Sequence, residues 1–405
     1  MNIFRKAYCR IYQTAFRLAL PVLPYREPKI LHDTGDVSKE LKALNIHRVL
    51  LITDKPLYSL GITKGLEESL RLNNIEVSIF SETRPNPTVS NVENAKQLYI
   101  DKKCEAIIGF GGGSSIDCAK AVGAMIAYPK KSLNQMKGLL KVLRRIPTLI
   151  AIPTTAGTGS EVTVTAVITD PDTKHKYTMN NFTFIPKIAV LDEKVTFSLP
   201  KSLTATTGMD ALTHATEAYI GNSTTKQTRA LSKKAVRLIF ENIETAYNEP
   251  QNKSARKNML DASYIAGIAF SKSYVGYIHA IAHSLGGEYN IPHGLANAVI
   301  MPYVLEVYGN KAHKKLYELA LCAGVADKHD SMETGAKKYI EAVKSLNKKL
   351  SIPNGFSQIK LTDIDKMASH ADKEANPLYP VPKLMDKKEL KSIYRSIYKG
   401  AQDEY

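Results

Sequence analysis

The chain has 405 residues, 44% hydrophobic and 23% charged, the balance of a soluble globular protein with room for two domains. No apolar run reaches the ~18 residues a membrane span needs, and four cysteines without close spacing (Cys9, Cys104, Cys118, Cys322) suit reduced thiols in a cytoplasmic compartment. The formal net charge of +16 is scattered from Lys29 to Lys399 without any nucleic-acid-binding motif, so no nucleic-acid partner is expected.

Residues 1–28 form a basic extension. Arg5, Lys6, Arg10, Arg17 and Arg26 occur there before any linker, and the first 26 residues carry no acid. At helical spacing Phe4, Tyr8, Ile11, Tyr12, Ala15 and Ala19 share one face, and Lys6, Arg10, Gln13 and Arg17 the other. Pro21 and Pro24 should end that helix. Three roles fit such a segment: docking of its apolar face on its own subunit or a partner, peripheral contact with an anionic membrane through residues 1–24, or targeting. The run Leu18–Leu23 is too short and too broken by Pro21 for a secretory signal.

From residue 29 to 198 short apolar runs alternate with helical ones. Strands are expected at 48–53, 75–80, 105–110 and 147–152, with helices at 63–73, 89–102 and 115–128. That alternation predicts a doubly wound, Rossmann-like parallel sheet. Beyond Ser198-Leu-Pro200 the pattern is helical throughout, so 199–405 is expected to be an all-α domain, with the site in the cleft between the halves.

Two glycine- and hydroxyl-rich segments follow predicted strands. Gly111-Gly112-Gly113-Ser114 lets backbone approach a pyrophosphate and aims helix N-terminal amides at it. Pro153-Thr154-Thr155-Ala156-Gly157-Thr158-Gly159-Ser160 has the same placement at a strand's C-terminal end. Asp54, just past the strand 48–53, can accept hydrogen bonds from ribose hydroxyls and repel a 2′-phosphate, favouring NAD over NADP; a helix cap would use it equally well.

The helical half holds four of the ten histidines in three short stretches: His214, His279 with His283, and His293. Asp210 and His214 lie four apart on one helix face, as do His279 and His283. A glycine pair, Gly286-Gly287, is expected to stop the second helix. One carboxylate with three imidazoles suits Fe²⁺, Zn²⁺ or a similar ion; spacing leaves open which of His279 and His283 binds. Metal plus dinucleotide points to a dehydrogenase.

Gly111–Lys120 (GGGSSIDCAK), Pro153–Thr163 (PTTAGTGSEVT), Gly208–Tyr219 (GMDALTHATEAY) and His279–Ala298 (HAIAHSLGGEYNIPHGLANA) closely resemble the motifs of the iron-containing alcohol dehydrogenase family, in order, across about residues 29–400. The resemblance implies a dehydroquinate-synthase-like fold: an NAD-binding α/β domain at 29–198 and a helical metal-binding domain at 199–405. It implies metal ligation by Asp210, His214, His279 and His293, with His283 beside the nicotinamide. Cofactor positions carry over to Asp54, Asn86, Gly112, Gly113, Ser114, Asp117, Thr154, Thr155, Thr158, Val167 and Lys176, and substrate-pocket positions to Thr165, Phe270 and Val275. The chain departs from the family pattern at Ser115 and Ser284 (commonly proline), Cys118 (commonly threonine), Glu193 (often proline), and Lys272 and Tyr274, where smaller or neutral residues are frequent.

The implied reaction is hydride transfer between a small alcohol or aldehyde and NAD(H), with the metal polarising the substrate oxygen and His283 exchanging the proton; a homo-oligomer is expected. Rivals are a hydroxyacid–oxoacid transhydrogenase that recycles bound nucleotide, and a non-catalytic scaffold on a membrane surface.

Overall fold

Short apolar runs alternating with helices build a sheet covered on both faces. The computed structural model describes residues 1–170 and 175–402, without side chains for Pro21, Asp170, His175 and Lys176. The chain divides into two units, one comprising residues 24–199 and the other residues 1–23 with 200–405. The opening helix α1 (Ile3–Ala19) therefore belongs with the C-terminal half.

In the 24–199 unit the elements run β1 (Lys29–Leu31), α2 (Val37–Ala43), β2 (Arg48–Ile52), α3 (Lys55–Ser59), α4 (Lys64–Leu72), β3 (Glu76–Phe80), α5 (Val89–Asp101), β4 (Ala106–Gly111) and α6 (Gly113–Ala127). They continue with β5 (Gly138–Leu139), β6 (Thr148–Pro153), β7 (Thr165–Asp170), β8 (His175–Asn180) and β9 (Ile188–Val190). Six strands form a parallel sheet in the order β1-β9-β6-β4-β2-β3. Alternate side chains face opposite ways along a strand, so Leu50 and Ile52 join one core with Val92 and Val122 from α5 and α6. Val49 and Leu51 join another with Leu41 and Leu66 from α2 and α4. Burial on both faces explains why these strands read as continuous apolar runs.

The connection leaving β2 leads to β3 on one side, whereas that leaving β4 leads to β6 on the other. The carboxyl ends of β2 and β4 thus flank a topological switch point, where open α/β sheets bind ligands. A second, three-stranded sheet, β5-β8-β7, holds an antiparallel hairpin that the sequence pattern did not predict.

Lys120 of α6 clamps this region. Its side chain is fully buried, and Nζ donates to Ser160 Oγ (3.0 Å), Thr163 Oγ1 (3.0 Å), Thr163 O (3.1 Å) and Thr165 O (2.8 Å). Burial lowers its pKa to about 8, against the pull of Asp117 and Glu161. Replacing it, Lys120→Met, leaves several buried acceptors without a donor and is expected to cost about 3 kcal/mol. The check is the urea midpoint for loss of nucleotide binding, which should fall while the metal content of the folded protein stays constant.

The other unit is all-helical after Pro200: α7 (Lys201–Ile220), α8 (Lys226–Asn248), α9 (Lys253–Ser271), α10 (Tyr277–Tyr289), α11 (His293–Tyr308), α12 (His313–Cys322), α13 (Met332–Lys349), α14 (Ile364–Ala375) and α15 (Lys387–Gly400). Every residue of α7 from Gly208 to Ile220 is buried, which makes it the central helix around which the site is built.

Two helix expectations are corrected. Gly286-Gly287 does not stop α10; the helix runs on to Tyr289, and Asn290 caps it in the left-handed conformation at φ 53°. Glycine inside a helix costs only about 1 kcal/mol, and asparagine tolerates that cap geometry. Nor does α1 dock on its own subunit by its apolar face. Its inward side carries Cys9 and Gln13, with Gln13 Nε2 donating to Tyr379 O (2.7 Å) and Pro377 O (3.1 Å).

Candidate active site

Three helices bring the metal-type side chains together. Asp210 and His214 project from successive turns of α7, His279 from the first turn of α10, and His293 is the first residue of α11. One ligand atom from each of the four lies within 4.8 Å of the others. The His214 and His279 rings stack at 4.7 Å, and His279 and His293 are 5.3 Å apart. His293 Nε2 is 3.6 Å from Asp210 Oδ1. The residue after His293 must be small, because a Cβ on Gly294 would meet Thr206 O at 2.5 Å and drive the start of α11 away from α7.

The donor chemistry fits a divalent cation. Glu217 is fully buried one turn beyond His214, and its carboxylate accepts from Gly276 N (2.7 Å), Ile278 N (2.8 Å) and the His279 Nδ1 side of the ring (2.6 Å). With Nδ1 engaged, His279 turns Nε2 to the cluster, the arrangement that orients metal-bound imidazoles. Burial, reinforced by His214, His293 and His283, holds His279 well below its ordinary pKa, so the ring is neutral and its lone pair free for a metal. Burial raises Glu217 to about 8, opposed by the N–H groups it accepts from.

Asn297 marks the point of convergence. Its Nδ2 lies 2.7 Å from Asp210 Oδ1, 3.1 Å from His293 Nε2 and 3.3 Å from His279 Nε2. Its own buried Oδ1 has no hydrogen-bond partner among the described residues. Three acceptor atoms therefore aim at one spot, as ligands of a cation would.

His283 stands apart from this group. It is partly exposed and stacks on His293 at 5.1 Å, while its Nδ1 pairs with Glu374 Oε1 at 2.6 Å. Tyr379 donates to the same carboxylate oxygen (2.7 Å). Burial pushes Glu374 up, but His283 and Tyr379 outweigh it and hold the carboxyl below its usual range. Of the predicted pocket residues, Phe270 stacks on His214 at 4.2 Å, and Val275 is half-buried beside the Gly276 cap of α10. Thr165 lies in the other unit, where its hydroxyl donates to Asn180 Oδ1 (2.6 Å).

In the 24–199 unit the predicted cofactor residues gather at the carboxyl ends of β2, β3, β4 and β6. Gly111 ends β4 at φ +148°, a conformation that favours glycine, and Gly112 caps α6. Gly113 and Ser114 open that helix, leaving its first amides for an anion. Ser114 Oγ accepts from Asn86 N (3.2 Å), which ties the loop after β3 to the glycine turn. Thr154 N donates to Gly111 O (3.0 Å), and Thr155 and Thr158 border Gly112 and Gly113.

Asp54 follows β2 and caps α3, its Oδ1 accepting from Leu57 N (2.9 Å); burial raises its pKa. Asp117 joins α6 to β7, accepting from Val167 N (3.0 Å) and Ser160 Oγ (2.6 Å). Lys176 belongs to β8, and its side chain lies outside the described residues.

Comparison with known proteins agrees over nearly the whole chain. The family described as "Iron-containing alcohol dehydrogenase" matches residues 29–193, and "Fe-containing alcohol dehydrogenase family, C-terminal" matches residues 204–398. The chain belongs to the iron-containing alcohol dehydrogenase family. It is 34% identical over 383 residues to alcohol dehydrogenase 4 of Saccharomyces cerevisiae, covering 94% of this chain and 97% of the yeast protein. It is 36% identical over 366 residues to 1,3-propanediol dehydrogenase of Klebsiella pneumoniae, covering 89% and 94%. A solved 1,3-propanediol oxidoreductase superposes with a TM-score of 0.89 at 34% identity, covering 92% of this chain and 99% of that one. The protein is thus a metal-dependent, NAD(P)-linked alcohol dehydrogenase with an Asp/His metal site.

Sequence reasoning missed Glu217, Asn297 and Glu374. The first two were findable: Glu217 is three residues after His214, and Asn297 four after His293, so each shares its ligand's helix face. Glu374 comes from α14, 91 residues from His283, and no local pattern connects them.

Proposed function

We propose that Asp210, His214, His279 and His293 hold one divalent ion, Fe²⁺ in preference to Zn²⁺, and that the protein transfers hydride between a small alcohol or aldehyde and NAD(H). The convergence of four ligand atoms within 4.8 Å on a buried, neutral imidazole is the observation that carries this reading. When bound, such an ion supplies the positive charge that favours loss of the alcohol proton and polarises a carbonyl in the reverse direction. Glu217 keeps the His279 lone pair on the cluster, and Phe270 packs the apolar side of His214.

In oxidation the carbon-bound hydrogen leaves with its electron pair for nicotinamide C4, and the hydroxyl proton must reach water. His283 is the group we assign to that proton. It is partly exposed, adjoins His293, and is oriented through Nδ1 by Glu374. His283→Ala should lower turnover about 100-fold with one ion per chain retained; stoichiometric loss of metal in that variant would make His283 a ligand instead.

Gly112, Gly113 and Ser114 receive the pyrophosphate on the α6 N-terminus, and Thr154, Thr155 and Thr158 line it from the β6 side. Asp54 favours NAD through ribose hydrogen bonds and repulsion of a 2′-phosphate. Primary alcohols, diols and aldehydes assayed with free NAD and NADP after defined metal reconstitution test the whole reading. Turnover with free NAD and an alcohol supports it, whereas activity only between a hydroxyacid and an oxoacid on tightly held nucleotide would replace it with a transhydrogenase.

A further inference from the structure

The opening helix is mounted with Arg5, Cys9, Arg10, Gln13 and Phe16 turned inward. Arg10 donates to Val381 O (2.8 Å) and Pro382 O (3.0 Å), Gln13 to Pro377 O and Tyr379 O, and Arg5 pairs with Asp372 (2.9 Å). Phe16 meets Tyr274 edge-on at 4.8 Å. These bonds fix the roll of α1, so it cannot turn its apolar stripe inward without giving them up. That stripe faces out. Ile3 is 75% exposed, Phe4 84%, Ile11 69% and Leu18 74%, with Val22 at 81% in the turn beyond. Amphipathic helices ordinarily bury that side, and a contiguous exposed apolar patch marks an interaction surface.

We propose that this face of α1 lies on an anionic lipid bilayer surface. The exposed side chains of Lys6 and Arg17 border the stripe along one edge, and the first 26 residues contain no acid. Basic residues flanking an apolar stripe suit a helix lying in the plane of the interface, with the apolar side chains at the acyl boundary and the cations among the phosphates. A second copy complements the stripe poorly. Stripe-to-stripe contact brings Lys6 and Arg17 toward their own counterparts on two chains of net charge +16 each. Among the described residues no helix is long and apolar enough to cross a membrane, so the contact is peripheral.

The full-length, metal-loaded protein would be floated with vesicles of phosphatidylcholine alone and of phosphatidylcholine with phosphatidylglycerol. Two variants accompany it: Phe4→Glu with Ile11→Glu and Leu18→Glu, and Lys6→Glu with Arg17→Glu. Binding is expected only to the anionic vesicles, weakening with salt and falling roughly tenfold or more in either variant, while alcohol turnover in solution is unchanged. Failure to bind anionic vesicles, or binding that neither variant weakens, overturns the proposal. So does light scattering that finds the parent assembled and the triple variant dissociated without lipid, which would assign the stripe to a second copy of the chain.

Discussion

Asp210→Asn should leave the protein folded and nearly inert. Asp210 is the only anionic member of the cluster, it is almost fully buried, and its Oδ1 accepts from Asn297. An amide of the same shape keeps the hydrogen-bonding capacity of α7 but removes the charge that offsets a divalent ion. Loss of that ion removes several kcal/mol of stabilisation of developing charge on the substrate oxygen, equivalent to roughly a thousandfold or more in rate. Metal per chain by elemental analysis and kcat should fall together, while NAD binding, which we assign to the 24–199 unit, should stay within about twofold. A variant that keeps its metal and most of its turnover would remove Asp210 from the ligand set.

Glu217→Ala should be the most damaging change that touches no ligand atom. The carboxylate holds three N–H groups, those of Gly276, Ile278 and the His279 ring. Two of them are backbone amides at the start of α10, the helix that delivers His279 and His283. Without Glu217 the imidazole is free to rotate and to exchange tautomers, and both amides lose their acceptor inside a dry interior. Metal affinity is expected to fall 10- to 100-fold, read as competition with a chelator of known strength. Glu217→Gln keeps an acceptor oxygen and should lie between parent and Ala. Equal metal affinity in all three would reduce Glu217 to a helix-packing role.

Much of this was legible in the chain because the relevant physics is local. Runs such as Val49–Ile52 and Ala106–Phe110 are apolar at every position because both sheet faces are covered, and the glycine turn after β4 needs a φ that glycine supplies at Gly111. Asp210 and His214 announce themselves by four-residue spacing. The same spacing could not separate His279 from His283. In the structure their different partners do so, Glu217 for one and Glu374 for the other.

What stayed hidden is long-range. The β7–β8 hairpin has no counterpart in the strand pattern expected from the sequence, and it is held from outside by β5 along β8 and by Thr88 beside Thr169. Helix α1 was seen as amphipathic, but its orientation is set by carbonyls at 377–382 that no local pattern reveals. The stop assigned to Gly286-Gly287 failed because α10 continues through the pair to its cap at Asn290.

The most direct test is a metal add-back on a single preparation. The protein is stripped by chelator, shown still folded and able to bind NAD, and assayed for NAD reduction by a primary alcohol before and after stepwise addition of Fe²⁺ or Zn²⁺. Near-zero activity that rises linearly and saturates at one ion per chain, and that fails to return in Asp210→Asn, is the predicted result. Full activity in the stripped protein, or restoration that is indifferent to Asp210, would contradict a metal centre built from Asp210, His214, His279 and His293.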